Sequence, residues 1–289
     1  MMINEIDNKE VAILLTTYNP NVTSLSSNIS TYIRQCGQVY LVDNSPIPFD
    51  YSLLPSSIKM ITLHDNKGIA VAQNIGYEAA KKDGYNFFLE IDQDSKLSEN
   101  YVYSICRDYI DIVDRNGPIL GVGPIAISEE QGIDYYNYGS LESPIPVEHT
   151  LSSGFFYSKQ GVEVCGLKNE GLFIDLVDWE WCMRAKSFAL LSFVSPNVEI
   201  LHSLGEGHKV IGPFKIGVSK PFRHYYQFRN TILLSMMKHI PLRWKLKNIL
   251  KIILKICVYP IILDEGFNRF RFMSKGLVDG FRNKNSSLT

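Results

Sequence analysis

Tyr85-Asn86-Phe87-Phe88-Leu89-Glu90-Ile91-Asp92-Gln93-Asp94-Ser95 decides how the rest of this chain is read. Gly84 ends a helical pattern, and Phe87, Phe88, Leu89 and Ile91 then form a short apolar run, which predicts a strand. The run closes on two carboxylates one residue apart, Asp92 and Asp94. Residues i and i+2 of an extended chain point the same way, so both acids leave one side of the strand end. Two hard oxygen ligands suit Mg²⁺ or Mn²⁺, with phosphate oxygens completing the shell. Taken alone, Asp-x-Asp also describes a solvated turn.

Upstream, the chain alternates buried strands with helical patterns. Val11 to Thr17 is a β-rich apolar run without alternation, as in a strand covered on both faces. It enters the loop Tyr18-Asn19-Pro20, and a helical pattern follows through Leu25, Ile29, Tyr32 and Ile33. A second strand, Val39 to Val42, ends in Asp43-Asn44-Ser45-Pro46, and residues 58 to 63 read as a third. Asn66-Lys67-Gly68 then leads into a helix carrying Ile69, Ala72, Ile75 and Ala79. This order predicts right-handed βαβ units and a mostly parallel sheet. Such sheets bind ligands at the carboxyl ends of their strands, which here collect Thr16, Thr17, Asp43, Asn66, Asp92 and Asp94. No strand is followed by G-x-G-x-x-G or by G-x-x-x-x-G-K-[ST]. That argues against a dinucleotide-dependent dehydrogenase and a P-loop NTPase, and does not exclude a nucleotide whose phosphates are held by metal instead of a Gly-rich loop.

Downstream, residues 99 to 114 read as a helix, 121 to 127 as a strand and 128 to 148 as a long loop. Ser152 to Tyr157 reads as a strand entered through Gly154, which marks either a bulge or a close backbone approach to a ligand. In Phe173-Ile174-Asp175-Leu176-Val177-Asp178-Trp179-Glu180-Trp181-Cys182-Met183-Arg184, Asp178 reads either as a helix cap or as a general base beside apolar rings. Residues 194 to 201 form a further expected strand. His202 follows it, where a metal or phosphate contact and a structural histidine are both open. Arg223 and Arg229, within Pro221 to Asn230, read either as phosphate ligands or as ion-pair partners.

The composition is that of a globular protein with a sizeable core, at 289 residues, 45% hydrophobic and 20% charged. Residues 1 to 10 show no basic-then-apolar leader, and no run of 18 apolar residues predicts a membrane span. Five scattered cysteines without a C-x-x-C pair suggest free thiols in a reducing cytosol. The net charge of −1 is uneven: ten basic and three acidic residues after position 240 leave +7 there and −8 before it. Arg243, Lys247, Lys251 and Lys255 make one stripe of a helix over 241 to 263, with Leu246, Ile249, Leu250, Ile253 and Ile256 on another face. That pattern, with Trp244 and Tyr259, suggests a helix lying on an anionic membrane surface. Packing on the catalytic domain is the alternative. A nucleic-acid partner is not expected, because the apolar face is too large.

The order of these pieces resembles the bacterial rhamnosyltransferases, inverting glycosyltransferases of family 2 with the GT-A fold. The resemblance covers roughly residues 10 to 230. It is carried by Thr17-Tyr18-Asn19-Pro20, Val42-Asp43-Asn44-Ser45, the run from Asn66 to Gly76, and Asp92-Gln93-Asp94-Ser95. It implies a nucleotide-diphospho-sugar transferase fold: a Rossmann-like, mostly parallel sheet flanked by helices, with a C-terminal helical extension. The implied boundaries are a catalytic domain over 1–235, with a donor half near 10–127 and an acceptor half near 128–235, and a basic amphipathic tail over 236–289. The resemblance also implies roles. Thr16, Thr17, Tyr18 and Asp43 would hold the base and ribose, Asn66, Gly68 and Gly154 would lie near the nucleotide-sugar, and Arg223 and Arg229 would join the donor site. Asp92 would face ribose or metal, Asp94 would bind Mg²⁺ or Mn²⁺, and His202 would be a further ligand. The family's catalytic aspartate stands six residues before an Arg, which counts back from Arg184 to Asp178. Val177 replaces the usual Glu before it, so Asp175 is the runner-up. Trp179, Glu180 and Trp181 would meet the acceptor, and Tyr226 joins the C-terminal cluster.

The implied reaction moves L-rhamnose from dTDP-β-L-rhamnose to a hydroxyl of a lipid-linked oligosaccharide for surface polysaccharide, on the inner face of the cell membrane. Another donor on the same machinery, such as UDP-galactofuranose or UDP-glucose, is the closest rival. A sugar nucleotidyltransferase would need a basic Gly-rich phosphate loop, and Thr16 to Pro20 offers none. A non-catalytic carbohydrate-binding protein is the third reading.

Overall fold

The computed structural model describes residues 5–128, 132, 134, 138–202, 208–211 and 214–284, and only the backbone of 202, 208–211 and 214–217. The chain divides into two compact units. One comprises Met1–Lys168 and Trp181–Ser203, the other Asn169–Glu180 and Leu204–Thr289.

The first unit carries β1 (Val11–Thr17), α1 (Val22–Tyr32), β2 (Gln38–Asp43), β3 (Lys59–Thr62), α2 (Ile69–Lys82), β4 (Phe87–Asp92), α3 (Tyr101–Asn116), β5 (Gly121–Ser128), β6 (Ile145–Val147), β7 (Phe156–Ser158) and α4 (Lys159–Cys165). Helix α5 (Val177–Ser187) begins among residues of the second unit, and β8 (Ser192–His202) belongs to the first. The strands form one sheet in the order β3-β2-β1-β4-β7-β5-β8-β6. Among the described residues, pairs β1–β2, β1–β4, β2–β3 and β5–β8 are parallel, and β4–β7, β5–β7 and β6–β8 antiparallel. This is the mixed, mostly parallel α/β architecture that the sequence predicts. Strand β1 shows why its run is apolar throughout. Val11, Ile13 and Leu15 pack with Leu25, Ile29, Val102 and Ile105 on one face, and Ala12 and Leu14 with Tyr77, Ala80 and Trp181 on the other. Both faces are covered, so alternation with polar residues is forbidden.

One departure from that rule sits in β4. By the same alternation Glu90 follows Phe88 into the second layer, where its carboxylate and the Lys168 ammonium pair, at 2% and 3% side-chain exposure. Tyr157 Oη donates to Glu90 Oε1 at 3.0 Å, and Lys168 Nζ also donates to Gln73 Oε1 at 2.9 Å. The Asn74 amide bonds both the carbonyl and the N–H of Lys168, at 3.0 and 3.1 Å. A buried pair survives only with its remaining lone pairs and protons satisfied, and this one has that shell. The expected strand over 152–157 is shorter: Gly154, at φ +80°, turns the chain before Phe156 and donates its N–H to Glu90 O at 2.7 Å.

The second unit holds the antiparallel pair β9 (His208–Ile211) and β10 (Phe214–Gly217), then α6 (Arg223–Met236), α7 (Leu242–Ile262) and α8 (Gly266–Phe281). Phe228, Ile232, Ile252 and Met273 form its apolar centre, with Ile249, Ile256, Tyr259 and Leu277 against it. Helix α8 approaches α6 so closely that a Cβ on Gly276 would meet Tyr225 O at 2.4 Å, and one on Gly280 would meet Ile232 Cβ at 2.8 Å. A boundary at 235/236 therefore does not separate a tail: α6 shares its core with α7 and α8.

The expected stripes on α7 are also rearranged. Ile249, Ile252 and Ile256 turn inward, while Leu246, Leu250 and Ile253 are exposed. Lys255, expected among the surface cations, turns toward Gln227 Oε1 (3.4 Å) and the Tyr259 ring (5.3 Å). Burial pushes its ammonium down to about 8, Lys251 adds to the shift, and Asp175 opposes it.

Two stability measurements check these assignments. Lys168→Met strands a buried carboxylate and should cost about 3–5 kcal/mol in urea denaturation, with Lys168→Met/Glu90→Leu recovering most of it. A single variant as stable as the parent would reject the pair as a structural element. For Lys255 the folded pKa lies below the ordinary lysine value of 10.5. The unfolded chain therefore binds more protons between about 8 and 10.5, and stability rises with pH across that window. Lys255→Met should raise Tm at pH 7 and flatten that rise, and a lowered Tm at pH 7 would contradict the placement in which burial outweighs the contacts to Gln227 and Tyr259.

Candidate active site

Four strands of the first unit end at one edge. Their register sets Thr17 beside Asp43, Asp43 beside Thr62, and Thr16 beside Asp92. Asp43 has no exposed surface. Its carboxylate accepts from Thr17 Oγ1 (3.3 Å), Ser45 N (3.1 Å), Ser45 Oγ (2.6 Å) and Tyr51 Oη (3.0 Å). Tyr51 Oη also meets Thr62 Oγ1 at 3.1 Å, and Ser45 Oγ accepts from Asn19 N at 2.8 Å. Asp43, expected at base or ribose, is buried and bonded to the protein's own groups, and it orders the loops after β1 and β2. Thr17 is buried for the same reason, while Thr16 is half-buried and the Tyr18 ring stands 44% exposed.

Asn44 carries this order across to α2. Its Nδ2 donates to Asn66 Oδ1 at 3.0 Å and its Oδ1 accepts from Lys67 N at 2.8 Å. Gly68, at φ +90°, starts α2 in a conformation that side chains disfavour, and no side chain caps the helix. An uncapped first turn presents backbone N–H groups and the positive end of the helix, which is how a chain holds phosphate without a Gly-rich loop.

Between the two carboxylates, Gln93 turns inward. Its Oε1 accepts from Tyr18 N at 2.7 Å and its carbonyl from Asn28 Nδ2 at 2.9 Å. Asp92 is half-buried with its N–H on Ser153 Oγ (3.1 Å), and Ser153 Oγ also meets Ser95 Oγ at 2.8 Å. Asp94 is exposed. Gly154 is corrected as a ligand-facing glycine: it is buried, its carbonyl accepts from Tyr101 Oη at 2.9 Å, and a Cβ there would meet that hydroxyl at 2.5 Å. The close approach is to the protein's own atoms. His202 ends β8 with its backbone paired to Ser128, and its side chain lies outside the described residues. Among the described residues no group of three His, Cys, Asp or Glu side chains could hold a metal. Two carboxylates separated by one residue, one half-buried and one exposed, fit a divalent cation that completes its shell from ligand phosphate oxygens.

The second unit holds the other expected residues. Asp178 is the second residue of α5, half-buried, with Oδ1 2.9 Å from Trp179 N. Asp175 lies in the preceding turn, its two oxygens facing Arg223 Nη2 (2.5 Å) and Nε (3.3 Å). That pairing occupies Asp175 and weakens it as the base. Arg223 is correspondingly paired, and its guanidinium is held further toward the charged form by Asp175 against the opposing effect of burial. Arg229 is corrected as a donor ligand. It is fully buried, and its Nη2 donates to the carbonyls of Gly171 and Leu172 at 2.9 and 2.8 Å. Glu180, 1% exposed with Oε1 3.0 Å from His239 Nε2, is corrected as an acceptor contact, since it has no surface to offer. Trp179 stays half-buried, edge-on to Trp244 at 6.1 Å. Trp181 belongs to the first unit's core, its Nε1 donating to Gly166 O at 2.9 Å and its ring edge-on to Tyr157. It too is corrected as an acceptor contact. Ser45, Tyr51, Gln93, Ser153 and Asn230 were missed. None of them carried a signal in the sequence: Gln93 and Asp94 form a turn beyond the end of β4 at Asp92, so strand alternation does not reach them.

No protein-family model matches the sequence. The chain is 28% identical over 297 residues to the dTDP-rhamnosyl transferase RfbF of Shigella flexneri, covering 95% of this chain and 96% of that protein. Among solved structures, S. aureus TarS 1-349 in complex with UDP-GlcNAc matches with a TM-score of 0.57 at 13% identity, over 93% of this chain and 81% of that one. GalNAc-T7, crystallised with UDP, GalNAc and Mn²⁺, matches with a TM-score of 0.55 at 10% identity, over 82% of this chain and 54% of that one. At these identities the structural matches speak to the fold. Together with the end-to-end likeness to a rhamnosyl transferase, they show that the chain is a glycosyltransferase of the GT-A fold.

Proposed function

We propose that the protein moves L-rhamnose from dTDP-β-L-rhamnose to a hydroxyl of a lipid-linked oligosaccharide, with inversion at the anomeric carbon. The observation that carries the reading is the exposed Asp94 beside the tethered Asp92, in a chain similar over nearly its whole length to a dTDP-rhamnosyl transferase. Asp94, with Asp92 and His202, would hold Mg²⁺ or Mn²⁺, and an ion bound there would neutralise charge on the leaving diphosphate. The first turn of α2, the loop at Thr16–Tyr18 and the side chain of Asn66 bind and orient the nucleotide. Asp178 acts as the general base that takes the proton from the attacking acceptor hydroxyl, and Trp179 would meet that acceptor. One displacement with one base inverts the centre and forms no glycosyl-enzyme.

The membrane part of the reading rests on α7. No helix among the described residues is long and apolar enough to cross a membrane. Yet Leu242, Leu246, Leu250 and Leu254 are each more than half exposed, next to Arg243, Lys247 and Lys251 on the same helix. Exposed leucines beside cations fit the interface of an anionic bilayer, which supplies both an apolar layer and negative charge. An acceptor carried on lipid would meet the enzyme there, on the inner face of the cell membrane.

The test is transfer and donor binding across dTDP-rhamnose, UDP-galactofuranose, UDP-glucose and UDP-GlcNAc, with and without Mn²⁺. Asp94→Ala should abolish metal-dependent transfer, and full activity in it removes the central claim. Asp178→Asn should lower kcat by about 10²–10⁴ with donor affinity unchanged. If Asp175→Asn behaves that way instead, the base is misassigned. Selection of a UDP-sugar keeps the mechanism and sinks the rhamnosyl assignment. For the membrane, Leu246→Glu/Leu250→Glu should leave the α6–α8 core intact and abolish sedimentation with phosphatidylglycerol vesicles. Unchanged sedimentation would count against this face.

A further inference from the structure

The segment before Asp178 takes an expensive path. Phe173, Asp175 and Leu176 have φ of +63°, +66° and +65°, so three side-chain-bearing residues out of four are left-handed. Such a conformation persists only where its surroundings over-determine it, and it gathers at working parts of proteins. Carbonyls that this path turns inward must also find donors.

Helix α6 supplies those donors from Arg229 and Asn230, and Arg223 and Tyr226 on the same helix hold the loop's side chains. Asn230 has no exposed surface, and its Nδ2 lies 2.9 Å from Leu172 O, 2.8 Å from Ile174 O and 2.8 Å from Asp175 O. An amide nitrogen has two hydrogens, so three carbonyls share them. Arg229 Nε donates to Asn230 Oδ1 at 3.0 Å, which fixes which end of the amide faces the loop. Tyr226 stacks on Phe173 with centroids 4.8 Å apart, and Arg223 holds the Asp175 carboxylate. Leu176 O then accepts the N–H of Glu180 at 3.0 Å, which opens α5 and sets Asp178 in its first turn. No other residue type does Asn230's work at that site: Asp lacks the hydrogens, and Gln places its amide one methylene too far.

We infer that Asn230 is a positioning residue for catalysis, holding residues 172–175 on their left-handed path so that Asp178 is delivered at a fixed place and angle. The inference rests on the reading of Asp178 as the base. Asn230 touches no substrate, and it acts through the loop alone.

The experiment compares Asn230→Ala, Asn230→Asp and Asn230→Ala/Leu176→Gly in the full chain. It reads kcat with dTDP-rhamnose and acceptor, donor Kd by titration, and hydrogen exchange of residues 171–178. Both single variants should lower kcat roughly 100-fold, as a small misplacement of a reacting group does, with donor Kd unchanged and exchange of 171–178 accelerated. Glycine adopts the left-handed region freely, so Leu176→Gly should return about tenfold of the lost kcat without touching donor affinity. Should Asn230→Ala not fold, Arg223→Met loosens the same loop from its more exposed end, with the same split expected. The inference is overturned if exchange rises while kcat holds, or if kcat and donor Kd worsen together and glycine restores nothing. If the parent protein transfers no rhamnose, the proposed reaction fails on that result alone. Unchanged exchange in Asn230→Ala would separately overturn the positioning role.

Discussion

A carboxylate with no exposed surface, that of Asp43, ties the carboxyl ends of β1, β2 and β3 to one another. Burying a charge is costly unless hydrogen bonds surround it, and Thr17, Ser45 and Tyr51 supply them. The loop after β1 inherits its course from that requirement, since Asn19 is bound to the same Ser45 hydroxyl. Asn44, the next residue, extends the order to Asn66 and the start of α2. An edge of a sheet that would otherwise be a set of solvated turns is held in one arrangement by these bonds.

The same logic governs the second unit with different chemistry. There the costly feature is backbone conformation, and its compensation comes from the side chains of α6. Asp175 and Asp178 stand three residues apart and have opposite fates. One is locked to Arg223, and the other enters the first turn of α5. Two carboxylates of similar sequence context thus acquire different roles from the groups around them.

Helices α7 and α8 serve two environments at once. The side that carries Ile252 and Met273 closes the unit's core, and the side that carries Leu246 and Leu250 does not. A helix apolar on more than one face satisfies one of them with protein and leaves the other exposed.

The sequence by itself determined the α/β class, the places of the first four strands along the chain and the acidic end of β4. Those follow from local periodicity, although β4 ends at Asp92 and Asp94 lies in the turn beyond it, half-buried and exposed respectively, so the expected i, i+2 alternation does not relate the two acids. The likeness in Asn66 to Gly76 and in Asp92 to Ser95 pointed to a rhamnosyltransferase before any coordinate. What only the tertiary structure decided was which polar groups are buried. Asp43, Gly154, Glu180, Trp181 and Arg229 all read as ligand contacts, because a polar or aromatic residue near a site looks the same from sequence whether it faces ligand or protein. Lys255 and the inner isoleucines of α7 depended likewise on a rotation of the helix, set by packing against Phe228 and Met273. Asn230 carried no signal at all, since its partners are main-chain carbonyls more than fifty residues away, and hydrogen bonds to backbone leave no trace in the identity of the residues that accept them.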